Sequence, residues 1–153
     1  MAEAIKRGYA LRKGRVSLAN QAYSITMVTA HRENLFSNFY MGRIVVDHLR
    51  KAGGSCLTIA FVVMPDHCHW LIQLNGSKSL SAIIKQVKGG AALEINRYLN
   101  RTGNKIWQPG FYDHALRCDE DLRAAARYII ANPLRAGLVD DIGQYALWDA
   151  VYL

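Results

Sequence analysis

A chain of 153 residues, 51% of them apolar and without a low-complexity tract, can bury a hydrophobic core as one domain and is not a disordered segment. Its longest apolar runs, residues 56–64 and 128–131, are too short to cross a bilayer, and residues 1–15 are polar and basic rather than an apolar leader; a soluble cytoplasmic protein is expected. A formal net charge of +7 and an isoelectric point near 9.5 suit a polyanionic partner such as nucleic acid, although a solvated basic surface gives the same totals.

No repeat or linker divides the sequence, which reads as one domain over residues 1–153 with a basic arm at 1–16 holding Lys6, Arg7, Arg12, Lys13 and Arg15. Residues 22–30, rich in β-branched and aromatic types, predict a strand. Residues 38–51 have apolar side chains near helical spacing, stopped by Gly53-Gly54. Residues 55–64 and 67–74 predict an antiparallel hairpin around a Pro65-Asp66 turn, broken after Leu74 by Asn75-Gly76. A long helix follows over residues 79–101, with Ser79 or Ser81 as its cap. Gly89-Gly90 at its centre predicts a kink or a close approach. A second basic stretch, Lys78, Lys85, Lys88, Arg97, Arg101 and Lys105, lies on and around this helix. Residues 111–117 read as another strand, and Asp119, Glu120 and Asp121 open a helix through Ile130. Pro133 is expected to end it and to leave the rest irregular. The order β-α-β-β-α-β-α implies an α+β fold, a ferredoxin-like or RRM-like antiparallel sheet with helices packed on it. Cys56, Cys68 and Cys118 form no CxxC pair and read as small apolar side chains.

Two pairs of residues can do chemistry. His67 and His69 are two apart on a predicted strand, so their imidazoles share one face while Cys68 and Trp70 share the other. Two adjacent imidazoles are half of a divalent metal site, although paired structural histidines leave the same pattern. Tyr128 and Asn132 lie four apart on the predicted last helix, which would place a hydroxyl and an amide oxygen on one face. A core tyrosine followed by a helix-stopping Asn-Pro fits that spacing equally well.

Together the pairs are more specific. The stretch VVMPDHCHWLIQL resembles the hairpin of the HUH transposases, in which two histidines flank one residue after a Met-Pro turn. WQPGFYDHALR and ARYIIANPLRAGLV are similar to the REP-associated tyrosine transposases, relatives of the small insertion-sequence transposases of bacteria. LRKGRVSLANQAYSITMVTAHRENLF has the same family's basic lead and strand, so the resemblance covers nearly the whole chain. It implies a metal-dependent enzyme that cuts and rejoins single-stranded DNA at palindromic hairpins through a 5′-phosphotyrosine. Carried over by position, the histidine pair is His67 and His69, the nucleophile on the last helix is Tyr128, and the third ligand of Mg²⁺ or Mn²⁺ is Asn132.

Arg12, Lys13 and Arg15 are then expected to contact the DNA beside the hairpin, and Lys85 and Lys88 its stem. His114 matches a recurring position and is expected to support the site, touch DNA, or serve structure alone. Asn132 is neutral where some relatives have a carboxylate, and the end, QYALWDAVYL, follows the family only loosely. A monomer is expected, with a homodimer as the alternative, in the bacterial cytoplasm and on the nucleoid when bound to DNA. Two other classes fit less of the sequence: a non-catalytic module that holds hairpin DNA or RNA, and a hydrolase using a metal-bound water, for which no base accompanies the histidines.

Overall fold

Asn38 sets the start of the first helix by accepting the backbone N–H groups of Tyr40 and Met41 at 2.9 and 3.3 Å. Helix α1, Phe39–Lys51, then buries Met41, Val45, Val46 and Leu49. Ser79 likewise caps α2, Leu80–Tyr98, accepting from the Ala82 N–H at 3.1 Å. The structure, a computed structural model, describes residues 20–117 and 119–151. The arm with Arg12, Lys13 and Arg15, together with Cys118, lies outside the described residues.

Five strands form one sheet in the order β4-β1-β3-β2-β5. They are β1 (Ala22–Val28), β2 (Cys56–Met64), β3 (His67–Leu74), β4 (Tyr112–Leu116) and β5 (Trp148–Ala150). Every pairing is antiparallel. β2 and β3 are the expected hairpin, and β1 lies between β3 and β4 as a ferredoxin-like sheet requires.

The pleat sends alternate side chains to two different layers. On one face Tyr23, Ile25, Met27, Cys68, Trp70 and Ile72 pack with α1 and α2 in the main core. Trp70 is fully buried, and its indole N–H donates to Thr58 Oγ1 at 3.0 Å. On the other face Val62, Met64 and Leu71 meet Ala126 and Ile129 of α3, Asp119–Ile130. The sheet thus carries helices on both sides, with α3 on the face opposite α1 and α2.

Gly90 makes the close approach expected at the centre of α2. A Cβ there would lie 2.6 Å from two ring atoms of His48 on α1, whereas one at Gly89 meets nothing within 4 Å. The His48 ring is held by Glu94 Oε1 at 2.9 Å.

The chain around and after Pro133 departs from expectation in two ways. Pro133 does not end α3, which stops at Ile130; it sits in the first turn of a short helix α4, Asn132–Arg135, where a missing N–H breaks no bond within that helix. The tail is not irregular throughout, because β5 pairs with β2 through Ala150, Asp149 and Trp148. Leu147 seats against Gly42, and Tyr145 donates its hydroxyl to the Val63 carbonyl at 2.6 Å. A three-residue strand is too short to show a period; tertiary contacts fix it.

Candidate functional site

His67 and His69 project from β3 on the face away from the main core, with ring centroids 4.8 Å apart and planes at 85°. Each ring uses Nδ1 on a neighbour. His67 Nδ1 lies 2.6 Å from Asp66 Oδ1, and since a carboxylate only accepts, that nitrogen carries a proton, which leaves Nε2 as the atom a metal would use. Asp66 is steadied by the Arg32 Nε–H at 3.2 Å, and its backbone carbonyl accepts from the N–H and the hydroxyl of Thr29 at 2.9 and 3.0 Å. His69 Nδ1 pairs with Thr26 Oγ1 at 2.9 Å across the β1–β3 register. Burial, then His67, then Arg135 push the His69 pKa down to about 4, so its imidazole stays neutral, the form that binds metals.

α3 crosses the same face. Ala126 and Ile129 are buried against the sheet, to which strand β3 contributes Leu71, two positions beyond His69. Tyr128 lies between them in sequence and is 64% exposed, so the helix presents the phenol outward while its neighbours anchor it. The guanidinium carbon of Arg135 stands 3.8 Å from the centroid of the Tyr128 ring. The same Arg135 acts electrostatically on His69, which links the tyrosine helix to the imidazole pair.

Asn132 opens α4 rather than closing α3. Its Nδ2 donates to the Ile129 carbonyl at 3.0 Å, which leaves the amide oxygen as an acceptor. Among the described residues no group of three His, Cys, Asp or Glu is arranged to hold a metal ion. A cation on the histidines would therefore need another kind of donor, and an amide oxygen is one. Two imidazoles oriented through Nδ1, plus such an oxygen, fit a divalent ion that accepts mixed nitrogen and oxygen ligands.

His114 is exposed on β4, opposite Ser24 of β1, and lines a cleft of about 580 Å³ with Ser24, Arg117, Asp121 and Tyr128. It thus shares a cavity with the tyrosine. Lys85 and Lys88 belong to a separate groove between α2 and residues 104–111. The Lys88 ammonium donates to the carbonyls of Gln108 and Gly110 at 2.8 and 2.6 Å, tying that loop to α2, whereas Lys85 is exposed on the rim.

Sequence reasoning passed over Asp66, Thr26, Arg32 and Arg135. Asp66 adjoins His67 and could have been found; Arg135 lies seven positions after Tyr128, on the next helix, and reads in the sequence as an ordinary solvated charge. Thr26 is revealed only by strand register.

An antiparallel sheet thus carries an H-x-H pair on one face, with a tyrosine-bearing helix laid over that same face. The sequence profile of the family described as "Transposase IS200 like" matches residues 17–132, more than half of the chain, and the chain belongs to that family. The REP-associated tyrosine transposase of Escherichia coli K12 is 32% identical over 88 residues, 56% of this chain and 49% of that protein. A Haemophilus influenzae relative is 34% identical over 92 residues, 54% of this chain and 52% of that protein. The matches span about half the length of these curated relatives. A solved REP-associated tyrosine transposase bound to a REP hairpin superposes with a TM-score of 0.69 at 25% identity, covering 88% of this chain and 79% of that one.

Proposed function

We propose that this chain cuts and rejoins single-stranded DNA beside REP-type hairpins, with Tyr128 as nucleophile and with His67, His69 and Asn132 holding Mg²⁺ or Mn²⁺. The observation that carries this reading is that α3 lies on the sheet face bearing the two imidazoles. The relative bound to a REP hairpin supports the substrate class.

Tyr128 is exposed, as a nucleophile that must meet an incoming strand needs to be. Its oxygen forms a bond to phosphorus as the bond from phosphorus to the 3′ oxygen breaks. The phenolic proton passes through solvent to the departing 3′ oxygen, leaving a 5′-phosphotyrosine. A second 3′-hydroxyl then attacks the phosphotyrosine, expels the phenol and reseals the strand. The bond is exchanged rather than hydrolysed, so no external energy source is required. When bound, the cation supplies charge that offsets the negative oxygens of the scissile phosphate. His67 and His69, each fixed through Nδ1, need not reorganise to hold it. His114 lines the same cleft as Tyr128 and is placed to touch the strand there. The basic arm with Arg12, Lys13 and Arg15 would contact the hairpin flank, with Lys85 on its stem.

The test is to incubate the protein with labelled hairpin DNA and Mn²⁺ and look for an adduct that survives boiling in detergent. Tyr128→Phe removes the adduct while hairpin binding persists. An adduct of equal yield in that variant, or metal-independent binding with no adduct in the parent, overturns the assignment; the second result identifies a non-catalytic binding module.

A further inference from the structure

Arg135 has no assigned role in this reaction, yet its surroundings are unusual for a surface arginine. Its guanidinium carbon sits 3.8 Å from the centre of the Tyr128 ring. That contact engages the face of the ring and consumes none of the five N–H donors. Among the described residues no carboxylate forms an ion pair with Arg135. The residue is exposed, and its charge is nevertheless felt by His69. Among the described residues, a cation with no carboxylate partner is therefore stacked on the phenol ring and close enough to the imidazole pair to act on it, and its planar fork suits a phosphate held beside both.

We propose that Arg135, stacked on Tyr128, grips the non-bridging oxygens of the scissile phosphate, orienting the phenol and offsetting the charge that builds on those oxygens during attack. The inference rests on Tyr128 being the nucleophile. A guanidinium suits this task because its planar fork matches two phosphate oxygens at once and it keeps its proton at any working pH. Arg135 exchanges no proton: the new bond joins the phenolic oxygen to phosphorus, the broken one frees the 3′ oxygen, and the phenolic proton leaves through solvent. The stack couples two functions in one side chain. Moving the ring moves the fork.

The experiment compares single-turnover adduct formation by the parent and by Arg135→Ala, with Mn²⁺, on two hairpin substrates: one with the natural scissile phosphate, one with a neutral methylphosphonate there. On the natural substrate the variant should be slower by about 10²-fold or more, the scale for losing one donor to a developing oxyanion. On the methylphosphonate, with little charge left to offset, the penalty should shrink to a few fold. An equal penalty on both substrates, no penalty at all, or a loss matched by a lowered melting temperature overturns the proposal.

If the methylphosphonate is unreactive with the parent as well, rates across natural hairpin concentrations decide. Arg135→Ala must lower the maximal rate with little change in half-saturation; the reverse pattern sinks the idea. Failure of the nucleophile assignment itself is visible separately, as absence of adduct with the parent or its persistence in Tyr128→Phe.

Discussion

The side-chain amide of Asn132 donates to the Ile129 carbonyl at 3.0 Å, and it does so in place of a backbone N–H that the next residue, Pro133, does not possess. In an unbroken helix the N–H of residue 133 would serve that carbonyl. One side chain thus repairs the helix interruption with its nitrogen and keeps its oxygen as an acceptor. The Asn132→Asp variant separates the two functions. It has no donor for the carbonyl, so urea unfolding should show a loss of about 1–2 kcal/mol. The added negative charge should make Mn²⁺ bind the free protein more tightly, as measured by calorimetry. Unchanged stability together with no gain in Mn²⁺ affinity would remove Asn132 from both tasks.

Asp66 holds His67 by its Nδ1 at 2.6 Å and is itself held by Arg32 at 3.2 Å. Asp66→Ala should free the ring to rotate and lower its basicity. Partners of this kind contribute about 10–100-fold to metal affinity, so the Mn²⁺ dissociation constant should rise by that factor. An affinity equal to the parent's would mean that the neighbouring packing alone orients His67.

The buried His69 gives the free protein a pH-dependent stability. Its pKa is about 4 when folded against an ordinary value of 6.5, so between those values the unfolded chain binds more protons. The contribution is complete above 6.5 and is lost as the pH falls through that window. It amounts to roughly 3 kcal/mol at full strength. Urea midpoints measured from neutral pH down to about 4 should fall, and the slope should flatten in His69→Gln. A slope identical in the two proteins would assign the acid sensitivity to other groups.

Gly89 and Gly90 should respond oppositely to the same substitution. Gly89 meets nothing within 4 Å, so Gly89→Ala should stabilise by about 0.5–1 kcal/mol through chain entropy. Gly90→Ala drives a methyl group to 2.6 Å from the His48 ring, which Glu94 pins in place. That crowding costs about 1–3 kcal/mol and outweighs the gain. Thermal melts of the two variants moving in the same direction would contradict the described contact.

The most periodic parts of the molecule were the most legible. β3 begins at His67 and ends at Leu74 as its alternation and flanking turn residues indicate, and of the two caps that the sequence allowed, Ser79 and Ser81, the helix uses Ser79. β5 was not legible, because three residues at an edge carry no usable period and their position depends on Leu147 against Gly42. For the site, the histidine spacing gave the shared face, but the Thr26 partner of His69 lies 43 positions away and depends on how two distant strands align. Arg135 was hidden for a different reason. A charged residue in a helix is ordinarily a solvated one, and only its height above the Tyr128 ring marks it out.

The pleat of β3 also ties durability to reactivity. Cys68 and Trp70 are wholly enclosed beneath two helices, while the residues alternating with them, His67 and His69, lie on the opposite face of the sheet. A slip of one position along β1 would invert every side chain, drowning two imidazoles in the oily layer and ejecting an indole into water. Misalignment of the imidazole pair therefore cannot persist quietly in a folded molecule. The same error that disarms the protein also dismantles it.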